Sequence, residues 1–112
     1  MYYRRKVILA LLQTFDDRLD KVSFQKLLFL FTDLQAKQNL KPAFHFVPYM
    51  QGCFSFQSYA DMGTMKVYNQ VTDSEKVWEK KDKTDYMVML NPKDKQFLFY
   101  LKNQYGKRTK DD

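Results

Sequence analysis

A handful of residues in this sequence have types and spacings that could do chemistry. Ser23 and Lys26 in "SFQK" reproduce the Ser-x-x-Lys spacing, at which a lysine on the same helical turn can activate a serine. The companion segments of that chemistry, Ser-Asp-Asn and Lys-Thr-Gly, are absent from the sequence, and Ser23 reads instead as a helix cap. His45 and Cys53 would make a thiolate and base pair if a turn brought them together. Their spacing fits no nucleophile motif, and a lone cysteine among Phe46, Phe54 and Phe56 reads as a small buried apolar filler. One Cys and one His cannot supply the ligands of a zinc site. The carboxylate pairs Asp16–Asp17 and Asp111–Asp112 lack apolar neighbours that would raise a pKa. Glycine occurs only at Gly52, Gly63 and Gly106, which form no phosphate cradle. No catalytic residue, metal ligand or cofactor is expected, and alkylation of Cys53 would test that.

The elements that would position these side chains follow from periodicity. Val7, Ile8, Leu11, Leu12 and Phe15 recur at helical spacing in a first helix from Tyr2 to Phe15. "DDRLD" breaks the pattern, and a second, centrally buried helix, "FQKLLFLFTDLQAKQN", follows Ser23 as its N-cap. "AFHFVPY" reads as extended, with Phe44 and Phe46 on one face, His45 and Val47 on the other, and Pro48 favouring a sheet edge. After a turn around Gly52, Ser55 caps a third helix in which Phe56, Tyr59, Met62 and Val67 face inward. "KVWE" and "TDYMVML" read as a hairpin with "KKDK" at its tip. Asn91 and Pro92 then open a fourth helix carrying Phe97, Leu98, Leu101 and Tyr105, which Gly106 stops. Residues 1–112 thus read as a single α+β, helix-dominated domain.

Composition narrows the partners. The 112 residues are 45% apolar and 17% aromatic, enough for one core. The net charge of +6 divides as eight basic against four acidic residues in 1–60 and eleven against nine in 61–112, which favours an anionic partner. No apolar run is long enough to cross a membrane, and neither a secretion signal nor a second cysteine is present, so the expected compartment is cytoplasmic.

Two binding surfaces are candidates. The helix, helix, helix, hairpin succession resembles a winged-helix domain, whose third helix enters the DNA major groove. On that reading Gln57 and Lys66 face bases, Lys80, Lys81 and Lys83 meet phosphates, and Asp61 opposes binding. The alternative is a protein partner, for which exposed Tyr and Met side chains are suited; the surface would be Tyr49, Gln51, Tyr59 and Tyr68.

"VSFQKLLFLF" followed by "FHFVPYMQGCFS" resembles the paired signature of the Panacea, or SocA-like antitoxin, family: "LQKLLYF" on a helix, then an aromatic segment ending "YGPYS". Gln25 to Phe29 fall on the first motif and Tyr49, Gly52, Phe54 and Ser55 on the second, with Cys53 in place of the usual proline. The resemblance covers about residues 22–71. It implies a non-enzymatic bacterial or phage protein that neutralises a toxin or links it to regulation, with the helix packing beneath the turn. The ending "YGKRTKDD" resembles the start of another helix, with Thr109 as N-cap and Asp111 and Asp112 in its first turn. A missing C-terminal helix would leave an apolar groove open to self-association as a homo-oligomer.

Overall fold

The computed structural model describes residues 2–50 and 52–110, with side chains as far as residue 106. Its core is made where α1 (Tyr3–Thr14) crosses α2 (Lys21–Lys37) and α4 (Pro92–Lys110). Val7 to Leu12 are all fully buried, so α1 is covered on every side by Phe24, Leu28, Phe31, Leu98 and their neighbours. Helix α1, rather than α2, is therefore the central helix, while α2 keeps Phe29 on the surface.

Between the two helices β1 (Arg18–Asp20) occupies the "DDRLD" break, and its last residue starts α2. The Ser23 amide donates to Asp20 Oδ2 at 2.9 Å, so Asp20 caps the helix and Ser23 lies in its first turn. Like a serine hydroxyl, the carboxylate satisfies the free amide, and its negative charge also favours the positive helix end.

The segment after α2 packs Phe44 inward and leaves His45 outward, then enters β2 (Val47–Tyr49), which pairs antiparallel with β3 (Gly52–Phe54). What reads in sequence as a turn after one strand is thus a complete small hairpin. Helix α3 (Phe56–Val67) follows, its Ser58 amide donating to the Ser55 hydroxyl as expected. Its inward face is Met62 and Met65; Phe56, Tyr59 and Val67 point outward, contrary to the sequence reading. Asp61 is also on the buried side, where Arg4 Nε donates to it at 2.8 Å and Arg5 approaches to 3.5 Å. That ion pair to α1 fixes the helix's rotation and turns the aromatic face out.

A second hairpin, β4 (Val71–Asp73) and β5 (Val77–Lys80), turns at Ser74, whose amide donates to the Val77 carbonyl. Strand β1 joins it in the order β1-β5-β4. "TDYMVML" is not a strand: it forms a loop and a 3-10 turn, Met87–Met89, because Gln13 of α1 accepts from the Tyr86 amide and donates to Asp85. "KKDK" consequently leaves the sheet instead of tipping a hairpin.

Helix α4 opens as expected, the Asp94 amide donating to Asn91 Oδ1 at 2.9 Å and Asn91 Nδ2 donating back to the Asp94 carboxylate. It does not stop at Gly106. The buried glycine continues the helix to Lys110, so Thr109 lies within α4 and not at the start of another helix; Asp111 and Asp112 lie outside the described residues. The Cα radius of gyration is 12.9 Å, close to the roughly 13 Å of one folded body of this length.

Candidate docking surface

The surface is built from α2 upward. Gln25 reaches across to the start of α3, its Oε1 accepting from the Ser55 amide at 3.0 Å and its Nε2 donating to Ser58 Oγ at 2.9 Å. This clamp fixes the exit of the β2–β3 hairpin against the helix cap. Four rings then meet: Tyr49 and Phe54 at 5.3 Å, Tyr49 and Phe56 at 5.7 Å, Phe54 and Phe56 at 4.9 Å, and Phe54 and Tyr59 at 6.0 Å. Edge and tilted contacts hold the rings at fixed angles. They do so in the open, since Tyr49 is 51% exposed, Phe56 56% and Tyr59 66%. Val47 and Met50 extend the apolar patch along the hairpin.

Two residues of this patch break local rules. Among the described residues five non-glycine residues have positive φ, and four are Asp or Asn, which tolerate that conformation: Asp16, Asp17, Asn39 and Asn69. The fifth is Met50, at φ 55°, on the hairpin tip with 89% of its surface exposed. Nothing in the fold rewards a methionine there. Gly63 sits inside α3 on the outward side, and a Cβ added to it would meet nothing within 4 Å. Met50→Asn and Gly63→Ala should therefore each stabilise the fold, by about 1 kcal/mol and about 0.5–1 kcal/mol respectively, as read by urea unfolding.

Beside Gly63 lies a groove of about 260 Å³ lined by Phe24, Phe54, Tyr59, Met62, Trp78 and Gln25, with Lys21, Lys66 and Asp73 at its polar edge. Trp78 is brought there by strand register, opposite Leu19 on β1 and Asp73 on β4. Lys21 Nζ lies 4.6 Å from the centre of the Trp78 ring and donates to Asp73 at 2.9 Å, and Lys66 pairs with the same carboxylate at 2.8 Å. Hydrogen bonds from Lys66 and Lys21 pull the Asp73 carboxyl down to about 2. A depressed carboxyl contributes stability that is present above its unfolded value, near 3.8, and is lost as pH falls through about 2. The stability the bridge contributes should therefore fall away between pH 4 and 2, and an Asp73→Asn variant should lose that part of the acid unfolding profile.

The expected site residues are distributed unevenly. Tyr49 and Tyr59 come together in the ring cluster, whereas Tyr68 is exposed at the far end of α3, roughly 13 Å along the helix from Tyr59. Gln51 lies outside the described residues. Of the residues assigned to DNA, Gln57 accepts from the His45 amide at 2.8 Å and Lys66 is held by Asp73. Lys80 is corrected outright: it is only 8% exposed, because alternation along β5 puts it on the same inward face as Trp78. Its ammonium donates to the Asp82 carbonyl beneath Tyr86. Lys81, near Glu79, and Lys83 remain exposed beyond the strand. Cys53 is also exposed, on β3 opposite Pro48, and is not the buried filler its neighbours suggest.

Met50 and the Lys21–Asp73–Lys66 bridge escape the sequence reading, which has Phe56 facing inward, Phe54 on the second motif and Gly63 as a point where another backbone can approach the third helix. One signal was available: Leu34 to Ala60 contains no Asp or Glu, an acid-free stretch that coincides with the aromatic hairpin.

A second depression, of about 530 Å³, lies between α1, α4 and the 40–45 segment. Tyr3, Gln35 and Asp94 in its wall are paired with one another. Tyr3 donates to Asp94 at 2.5 Å, Gln35 Nε2 donates to Tyr3 at 2.9 Å and to Asp94 at 3.3 Å, and Gln35 Oε1 accepts from the Ala43 amide at 2.8 Å. Burial and the adjoining carboxylate push the Tyr3 hydroxyl well above its ordinary range, so it stays a donor. This network holds three elements together.

Among the described residues no group of three His, Cys, Asp or Glu is placed to hold a metal, and no helix is long and apolar enough to cross a membrane. Comparison with protein-family models, curated proteins and solved structures finds no match to the chain.

Proposed function

We propose that the chain is a non-catalytic interaction module that binds a protein partner through the β2–β3 hairpin and the outward face of α3. The observation that carries this reading is the cluster of exposed Tyr49, Phe56 and Tyr59 around a half-buried Phe54, extended by a strained and exposed Met50. Rigid aromatic rings and an adaptable methionine are the side chains that anchor protein interfaces. The motif resemblance over residues 22–71 supports the narrower proposal of a toxin-neutralising antitoxin or regulator. A photo-crosslinking residue placed at Met50 in cells that produce the protein tests the surface. A discrete cross-linked protein from Met50, and none from a control at Lys93, is the expected outcome; equal products from both positions overturn it.

A second reading, DNA binding, is favoured by one observation. The element order α1, β1, α2, α3, β4, β5 with β1 completing the sheet is a winged-helix-like succession, interrupted only by the β2–β3 hairpin. Against it, the outward face of α3 is occupied by Phe56, Tyr59 and Val67, its Lys66 is paired with Asp73, and Lys80 is buried. Anisotropy of a labelled duplex at two salt concentrations decides between them. Micromolar binding with a steep salt slope that shrinks in a Lys81→Glu, Lys83→Glu variant would promote the DNA reading.

A further inference from the structure

We infer that the occupant of the groove beside Gly63 is an amphipathic helix of the partner, carrying acidic side chains beside its apolar stripe. This rests on the docking reading above and names what docks.

Shape is the first argument. On α3 the positions Tyr59, Gly63 and Lys66 line one side of the groove, and at Gly63 the wall is bare backbone with open space before it. Inside a helix such a glycine is disfavoured relative to alanine, and no contact within this chain uses the missing Cβ. Bare helix backbone between a ring and a lysine stem lets another helix approach closely, with a side chain such as leucine reaching Trp78, Phe24 and Met62 at the base. That is the helix-in-groove mode, in which apolar residues at helical spacing act as anchors.

Charge is the second. At the polar edge two ammonium groups share one carboxylate, which leaves one positive charge for a group that docks. The hairpin side adds no acid, because none occurs from Leu34 to Ala60, and the whole chain carries +6. A second copy of this chain would bring like charge to the same face, and a basic helix would meet Lys21 and Lys66. A glutamate one turn from the anchoring leucine would instead sit opposite these lysines.

The test uses two synthetic 18-residue helical peptides, one of Leu, Ala and Glu and its counterpart of Leu, Ala and Lys, titrated into the ¹⁵N-labelled full chain. The expected result is saturable shifts at Gly63, Tyr59, Phe54 and the Trp78 indole with the acidic peptide, and at least tenfold weaker binding of the basic one. Gly63→Leu should remove binding at least tenfold, and Lys66→Gln should shrink the preference for acid several-fold without filling the groove. Equal binding of both peptides, shifts outside the groove, or dimerisation that buries Gly63 would overturn the inference. If neither peptide binds while Met50 still cross-links, the helical occupant is wrong and the docking surface stands. If the cross-link is also absent, the surface reading falls with it.

Discussion

Replacing Gln35 by alanine is expected to lower the unfolding free energy by about 3 kcal/mol, the sum of a hydrogen bond to a charged group and two neutral ones. At roughly 4 °C per kcal/mol for a domain of this size, the melting temperature should fall by about 12 °C. The side chain is buried, and each of its polar atoms is used: the amide nitrogen on Tyr3 and Asp94, the oxygen on the Ala43 amide. Alanine leaves the Ala43 amide without its acceptor and a buried carboxylate with one donor fewer, so the bonds are lost without compensation in the folded state. Below the melting temperature the variant should still cross-link from Met50, because the network touches α1, α4 and the 43 segment and none of the four surface rings. A change below 1 kcal/mol would mean that water replaces the glutamine, and that the network is not what holds α4 against α1.

The converse variant separates fold from function. Changing Tyr49, Phe56 and Tyr59 together to serine should reduce partner binding by at least 100-fold, since anchoring aromatics are each worth about 2 kcal/mol or more at an interface. The cost in stability should stay within about 2 kcal/mol, because all three rings are more than half exposed and give up little buried area. The outcome is read as loss of the Met50 cross-link beside an unchanged far-ultraviolet circular dichroism spectrum. Retained cross-linking would place the anchors elsewhere, with Val67, Tyr2 and Tyr68 the most exposed apolar residues after Met50.

The parts of the fold visible in sequence are those in which one local preference acts alone. Ser55 and Asn91 cap their helices as their types demand, and Phe97, Leu98 and Leu101 keep their period because α4 has a single buried stripe. The parts that are not visible depend on distant partners. Asp20 displaces Ser23 as a cap because the preceding residues are held as a strand by β5, about sixty residues on. Tyr86 and its neighbours leave the β conformation because Gln13 takes the amide that a strand would have needed. The rotation of α3 is set by Asp61 under Arg4 and Arg5, so a helix with apolar residues on both sides turns its aromatic side to solvent. Of the candidate site, the aromatic density around Tyr49 was legible and the groove was not: Trp78 and Asp73 reach it only through strand register, and Lys21 only through the cap at Asp20.

Met50 and Gly63 together carry the central claim, that this surface keeps locally costly residues because something outside the chain uses them. Urea unfolding of a Met50→Asn, Gly63→Leu double variant, paired with titration of the acidic helical peptide into the same sample, tests it most directly. The account predicts a gain in stability of about 1–2 kcal/mol together with at least a tenfold loss of peptide affinity. A double variant less stable than the natural sequence, or one that gains stability and binds the peptide undiminished, would contradict it.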